Sequence, residues 1–245
     1  MGKHPSAFGD DAVTIKPVVT HSWDVSPAQA MEIQQELRSR LIVEPLQCNP
    51  ETVGGVDVSV KAGRARGAVV VLSWPDLELR ESATAELPVS FPYVPGLLAF
   101  REGPVVLEAL ARLSRAPDVL VFDAHGFAHP RRIGLATHLG IVLDLPTVGC
   151  AKSRLSGEHS EPDSQRGCWT DLRDGDEVIG AVLRTRDEVR PVFVSVGHRV
   201  DLADAVSLVL ESAPRYRLPE PIRWAHRVAG GEMLHTISNR ENPQP

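Results

Sequence analysis

Three carboxylates stand on separate segments of the chain, each where a charge needs an explanation. Asp57 interrupts residues 53–60, where Val56, Val58 and Val60 alternate with Gly55, Asp57 and Ser59 in the two-residue period of a strand. A carboxylate in a core strand is costly unless it is paired or binds a cation. The alternative is an edge strand with Asp57 facing solvent. Asp123 follows Val119-Leu120-Val121-Phe122, and sites collect at the carboxyl ends of strands in open α/β sheets. A loop-starting or helix-capping Asp is the ordinary alternative. Glu102 directly precedes Gly103-Pro104 at an expected helix start. There it either meets the positive end of the helix dipole or converges with Asp57 and Asp123. Three such acids, with Cys48, Cys150 and Cys168 forming no CxxC pair, favour oxygen-ligated Mg²⁺ or Mn²⁺. That is the usual equipment for phosphodiester hydrolysis.

His125, Gly126 and His129 follow Asp123 at once. The string resembles a metal site, although loop histidines are more often plain hydrogen-bonders. Lys152, after Gly149-Cys150-Ala151, can neutralise phosphate charge or orient water; a solvated lysine is the default. Arg131 and Arg132 at an expected helix start oppose the macrodipole and call for something negative nearby. Phe91-Pro92-Tyr93-Val94-Pro95-Gly96 is a stiff loop carrying one aromatic. Tyr93 is either core or a rigid wedge of the kind base-extruding proteins insert beside a base.

The elements that must position these residues follow from periodicity and turn chemistry. Ser26-Pro27-Ala28-Gln29 predicts a capped helix start, with Ile33, Leu37 and Leu41 on its apolar face. Residues 53–60, 67–73 and 77–87 predict an antiparallel meander. A helix is expected from Gly103-Pro104 through Arg112, a strand over 118–123, a helix from Pro130 to Leu143 and a strand over 146–150. Residues 153–176 form a polar loop or lobe, 177–184 and 191–196 a strand pair. Asp201 caps a helix to Ser212, and a last short helix surrounds Trp224. The expected fold is α/β: a mixed sheet, antiparallel meander plus parallel strands, with helices on both faces.

At 245 residues the chain can bury a full core without disulfides or structural metals. Its 42% apolar and 24% charged content excludes disordered and fibrous classes. No apolar run long enough for a membrane span and no signal-peptide core is found, and the sparse, odd cysteine count predicts a reducing cytoplasm. Lys and Arg number 26 against 32 Asp and Glu, a net charge of −6. This argues only softly against a nucleic-acid partner, because a cation site itself consumes carboxylates.

Several strings then match one family in order: Gly55-Val56-Asp57-Val58; Pro92-Tyr93-Val94-Pro95-Gly96 running into Phe100-Arg101-Glu102; Asp123-Ala124-His125-Gly126 with His129-Pro130-Arg131; Gly149-Cys150-Ala151-Lys152; and Arg217-Leu218-Pro219-Glu220-Pro221. Together they resemble endonuclease V, the deoxyinosine-specific repair nucleases of ribonuclease H-like fold. The resemblance covers residues 25–230 as the catalytic domain, leaving 1–24 as a loose leader and 231–245 as a disordered tail.

The resemblance implies Asp57 and Asp123 as metal ligands and Glu102 as a further acidic member. Mg²⁺ is then the cofactor, with Mn²⁺ as substitute. It makes Tyr93 the wedge, with Pro92 and Gly96 shaping its loop, and puts Gly126 on the DNA side near the lesion pocket. Lys152 and His129 fall near the scissile phosphate or its water. The implied activity is cleavage of the second phosphodiester bond 3′ to deoxyinosine in DNA, leaving 3′-hydroxyl and 5′-phosphate ends, by a cytoplasmic monomer with no membrane association. An inosine-specific ribonuclease and a non-catalytic inosine-binding module are the alternatives; three converging carboxylates speak against the latter.

Two departures stand out. Ala124 replaces the family's usual glycine between Asp123 and His125. His226 follows Trp224-Ala225 where the family often has aspartate. A neutral imidazole adds no negative charge and, as a borderline ligand, suits Mn²⁺ better than Mg²⁺. Otherwise His226 only packs the last helix against the body.

Overall fold

The structure, a computed structural model, describes residues 15–233. Its centre is an eight-stranded mixed sheet. Strands β1 (Thr52–Lys61), β2 (Arg64–Ser73) and β3 (Leu79–Pro88) form the antiparallel meander expected from the sequence. β4 (Val119–Phe122) and β5 (Thr147–Ala151) continue it in parallel, and β6 (Trp169–Asp174), β7 (Glu177–Leu183) and β8 (Val192–His198) complete it in the order β3-β2-β1-β4-β5-β8-β7-β6.

Helices cover both faces, as the mixed pattern predicts. On one face α2 (Leu98–Leu110) and α3 (Leu135–Leu143) pack on Val56, Val69, Leu120 and Phe122. On the other, α4 (Leu202–Glu211) and α5 (Glu220–Ala229) pack on Val53, Val70, Val121 and Val194. Strands buried on both sides explain the dense valine runs. α1 (Pro27–Arg38) starts with the expected reciprocal cap between Ser26 and Gln29, and Asp201 caps α4 through the Asp204 amide. The buried stripe of α1 is Ala30, Gln34 and Leu37; Ile33 is only partly buried and Leu41 lies past the helix end.

Several expectations are corrected. Residues 15–24 are not loose: Ile15 is buried, the Val18 and Val19 amides donate to Val142 O, and Trp23 meets Phe100 edge to face. Residues 1–14 and 234–245, including most of the expected tail, lie outside the described residues. α2 begins at Leu98 rather than Gly103, so Pro104 is internal and Glu102 lies in the body of the helix. An internal proline costs ~3 kcal/mol. It is offset here because Leu97, Ala99 and Phe100 bury themselves among Ala30, Phe91 and the sheet.

α3 begins at Leu135 rather than Pro130 because Arg132 adopts φ +60, which no α-helix continues. The Arg132 guanidinium pays for that turn by pairing with Asp174 at 2.8 Å and Glu177 at 2.7 Å. The acidic partner demanded for Arg132 therefore comes from the β6–β7 hairpin. β6 itself was hidden in the polar stretch, since it is an edge strand with Leu172 as its one buried residue.

Candidate active site

β1 is central, so Asp57 does not face solvent from an edge. β1 pairs β2 along its whole length but β4 only from Val53↔Val119 to Val56↔Phe122. The last link is the Asp123 amide to Val56 O at 3.1 Å. One residue further, Asp57 and Asp123 stand side by side on the face covered by α5, where the two strands part. A helix on that face supplies the third member: one ligand atom each from Asp57, Asp123 and His226 lie within 4.8 Å of one another.

His226 does not pack α5 against the body. Its side chain is 67% exposed and its Nδ1 donates to Asp57 Oδ2 at 2.7 Å. Across from it, Lys152, just past β5, bonds Asp123 Oδ2 through Nζ. Its backbone is braced by Arg217, whose Nη2 donates to Lys152 O at 2.7 Å and Pro191 O at 2.8 Å. This is the structural use of the Arg217-Leu218-Pro219 string. Each carboxylate is thus met by one basic side chain.

Glu102 is not among the three clustered ligands. It comes from α2, on the opposite face, close enough to feel both acids. Burial, together with the charges of Asp57 and Asp123, pushes its carboxyl up to about 8, against the opposing pull of Arg101. The Asp57 carboxyl is also raised, by burial first and Asp123 second, with the His226 hydrogen bond pulling it back. Carboxylates held against their own charge are candidates for cation binding. The donor set fits a divalent ion: carboxylate oxygens suit Mg²⁺ or Mn²⁺, and an imidazole nitrogen favours the softer of the two. The neighbouring Cys150 is buried and its thiol is pushed far up, which leaves it a packing residue rather than a nucleophile.

A cavity of about 410 Å³ opens beside Asp123 and Lys152. Tyr93 and Gly96 form one wall, Ala124, His125 and His129 another, and Arg154 and Leu155 close the rim. Tyr93 is 72% exposed, which removes the core reading. Its loop runs through exposed Pro92 and is pinned at Gly96, where φ is +80 and a Cβ would lie 2.7 Å from Arg131 Nη2. Gly126 does not line the cavity; it is buried under it, where a Cβ would meet Val196 O at 2.1 Å. It lets the loop after Asp123 close onto β8.

Neither loop histidine belongs to the ligand cluster. His125 bonds Ser153 O through Nε2 at 2.9 Å. Both ring nitrogens of His129 are engaged by backbone, Nε2 with Gly96 O at 3.0 Å and Nδ1 with the Arg131 amide at 3.1 Å. Burial, then Arg131, lowers the His129 imidazole to about 4, so it is neutral at pH 7. Arg131 also turns inward, with Nη2 on Gly96 O at 2.7 Å and Nε on Gln34 Oε1 at 2.6 Å. Gln34 carried no signal as a site residue beyond being a polar residue in an apolar stripe.

Paired carboxylates at the parting of two parallel strands, beside a cavity walled by an exposed aromatic, give a ribonuclease H-like α/β fold a candidate divalent-cation site. Comparison with known proteins gives the family. The endonuclease V family model matches residues 35–227, and the chain belongs to that family. A relative from a Roseiflexus species, Endonuclease V, is 52% identical over 207 residues, 84% of this chain and 93% of the relative. The crystal structure of Endonuclease V from Streptomyces avermitilis is 41% identical with a TM-score of 0.82, covering 94% of this chain and all of that one. Endonuclease V of Ciona intestinalis, solved with a 23mer DNA containing an inosine followed by a ribo-adenosine, is 29% identical with a TM-score of 0.72 over 87% of this chain and 100% of that one. Among the described residues no helix is long and apolar enough to cross a membrane.

Proposed function

We propose that this chain is a Mg²⁺-dependent DNA-repair endonuclease that recognises deoxyinosine and cuts the second phosphodiester bond on its 3′ side, leaving 3′-hydroxyl and 5′-phosphate. The observation that carries the reading is the adjacency of the Asp57–Asp123 pair to the cavity walled by Tyr93. Asp57 and Asp123 would hold the cation, with Glu102 as the further acid and His226 as the third candidate ligand. When bound, the cation supplies Lewis-acid polarisation of a phosphoryl oxygen and a water acidic enough to attack it.

The chain's own residues do the rest. Tyr93 enters the stack as the damaged base leaves it, and the cavity receives the base. Pro92 and Pro95 restrict the loop so that this insertion costs little ordering entropy. Lys152 is 43% exposed at its side chain, so its ammonium can turn from Asp123 to a non-bridging phosphate oxygen. His129 holds the wedge loop from below through Gly96. In this reading the protein works as a cytoplasmic monomer.

A second reading, cleavage of inosine-containing RNA, is favoured by the ribo-adenosine that follows the inosine in the Ciona complex. One assay tests both. Oligonucleotides with a single inosine in DNA, RNA or hybrid context are incubated with and without Mg²⁺, and product ends are mapped. Cutting of inosine DNA only with Mg²⁺ supports the proposal. Cutting confined to RNA transfers it to the second reading, and binding without any cutting leaves a binding module.

A further inference from the structure

We propose that Gln34 is a positioning residue for the wedge, holding the Tyr93 loop in register with the strand that ends at Asp123. The proposal rests on the reading of Tyr93 given above. Gln34 lies on α1 between Ala30 and Leu37 and is 1% exposed. Its amide is fully committed. Nε2 donates to Gly96 O at 3.1 Å and Ile133 O at 3.1 Å, and Oε1 accepts from Arg131 Nε at 2.6 Å. An apolar side chain would fill the stripe of α1 as well; it could not reach the carbonyl of Gly96. Burying an amide is costly unless every group is paired, so the polar residue at this position is explained by what it holds.

Gly96 O is the meeting point of Gln34 Nε2, His129 Nε2 and Arg131 Nη2. The other end of the loop is held by Arg101 Nη1 on Phe91 O at 2.9 Å. Tyr93 therefore projects from a span fixed at both carbonyls. The clamp's other half, residues 129–136, is itself tied to the loop after Asp123, through the Gly134 amide on Gly126 O at 2.9 Å and the Ala136 amide on His125 O at 3.2 Å. The side chain of Gln34 thus links the wedge to the carboxylate strand, and sets how far the cut falls from the inserted ring.

The test uses a duplex with one inosine and an adjacent 2-aminopurine, whose fluorescence rises when the base leaves the stack. Gln34→Met is expected to weaken affinity for this duplex at least tenfold, to suppress the fluorescence rise and to spread cleavage over more than one bond. Mn²⁺ affinity, read by electron paramagnetic resonance, stays at the wild-type value. In a Tyr93→Ala background Gln34→Met adds no further loss, because the residue acts through the wedge. Arg131→Lys, which keeps the charge and loses the fork, moves the same readouts in the same direction and serves if Gln34→Met does not fold. Folded variants with wild-type affinity and fluorescence, or additive losses in the double variant, overturn the proposal. Wild-type protein indifferent to inosine overturns the underlying function instead.

Discussion

His226 Nδ1 lies 2.7 Å from Asp57 Oδ2, joining residues 169 positions apart in the chain. The contact sets an imidazole where it and Asp57 can share either a proton or a cation. A third carboxylate here would attract Mg²⁺ more strongly than an imidazole does, whereas the nitrogen suits Mn²⁺. His226→Asp is therefore expected to lower the Mg²⁺ concentration for half-maximal cutting and to narrow the gap between Mn²⁺ and Mg²⁺. Titrating cleavage against each cation checks this; unchanged midpoints for both would remove His226 from the cation site.

Asp57 is held in the folded state against its own charge. Asp57→Asn keeps the shape and removes the repulsion with Asp123. Cutting should fall by more than ~10²-fold, the scale of losing one transition-state-stabilising group, while binding of inosine duplex persists. Without cation, the variant should be more stable than wild type by ~0.5–2 kcal/mol, as when a strained site is relieved. Urea melts in EDTA measure it, and equal or lower stability would contradict the electrostatic account.

Tyr93 contributes little to the core, being 72% exposed. Tyr93→Ala should leave stability within ~0.5 kcal/mol of wild type and weaken inosine-duplex binding by ~1–3 kcal/mol, the value of one aromatic stacked on a base. A thermal melt beside a binding titration separates the two, and a large melting-temperature drop would return Tyr93 to the core.

Two buried histidines make the fold sensitive to acid. Burial lowers His129 to about 4 and His138 to about 3, with His21 adding to the second shift. The unfolded chain takes up protons near the ordinary value of 6.5 that the folded chain refuses. Stability from this source is complete above pH 6.5 and is lost as pH falls towards 4 and then 3. Each histidine contributes a slope approaching ~1.4 kcal/mol per pH unit inside its window. The raised carboxyls of Glu102 and Asp57 act in the opposite sense, gaining stability as pH falls through the same range. The histidine contribution is therefore read as a difference between proteins: His138→Leu should remove one proton from the pH slope of stability against urea between pH 6.5 and 4, whatever it does to the total.

The sequence alone determined what is local. The Ser26–Gln29 cap, the Asp201 cap and the alternation that put Asp57 on the opposite side from Val56 depend on neighbours a few residues away. The meander, the parallel continuation and the pairing of the last strands followed from period and turn chemistry. Asp57, Glu102 and Asp123 were singled out because charge in or beside an apolar run is costly wherever the chain goes.

Tertiary structure decided what rests on distant partners. α2 starts at Leu98, across an unfavourable Pro104, because Phe100 finds Ala30 and Phe91. α3 waits until Leu135 because Arg132 is drawn into a left-handed turn by Asp174 and Glu177. β6 forms because β7 offers it a ladder, its own pattern being too polar to announce it. Gln34 and Gly96, 62 positions apart, meet only when α1 docks, and Glu102 acquires its raised pKa only when α2 brings it near Asp57 and Asp123. Such energies belong to contacts made across the fold, and a contact of that kind leaves no period in the chain on either side of it.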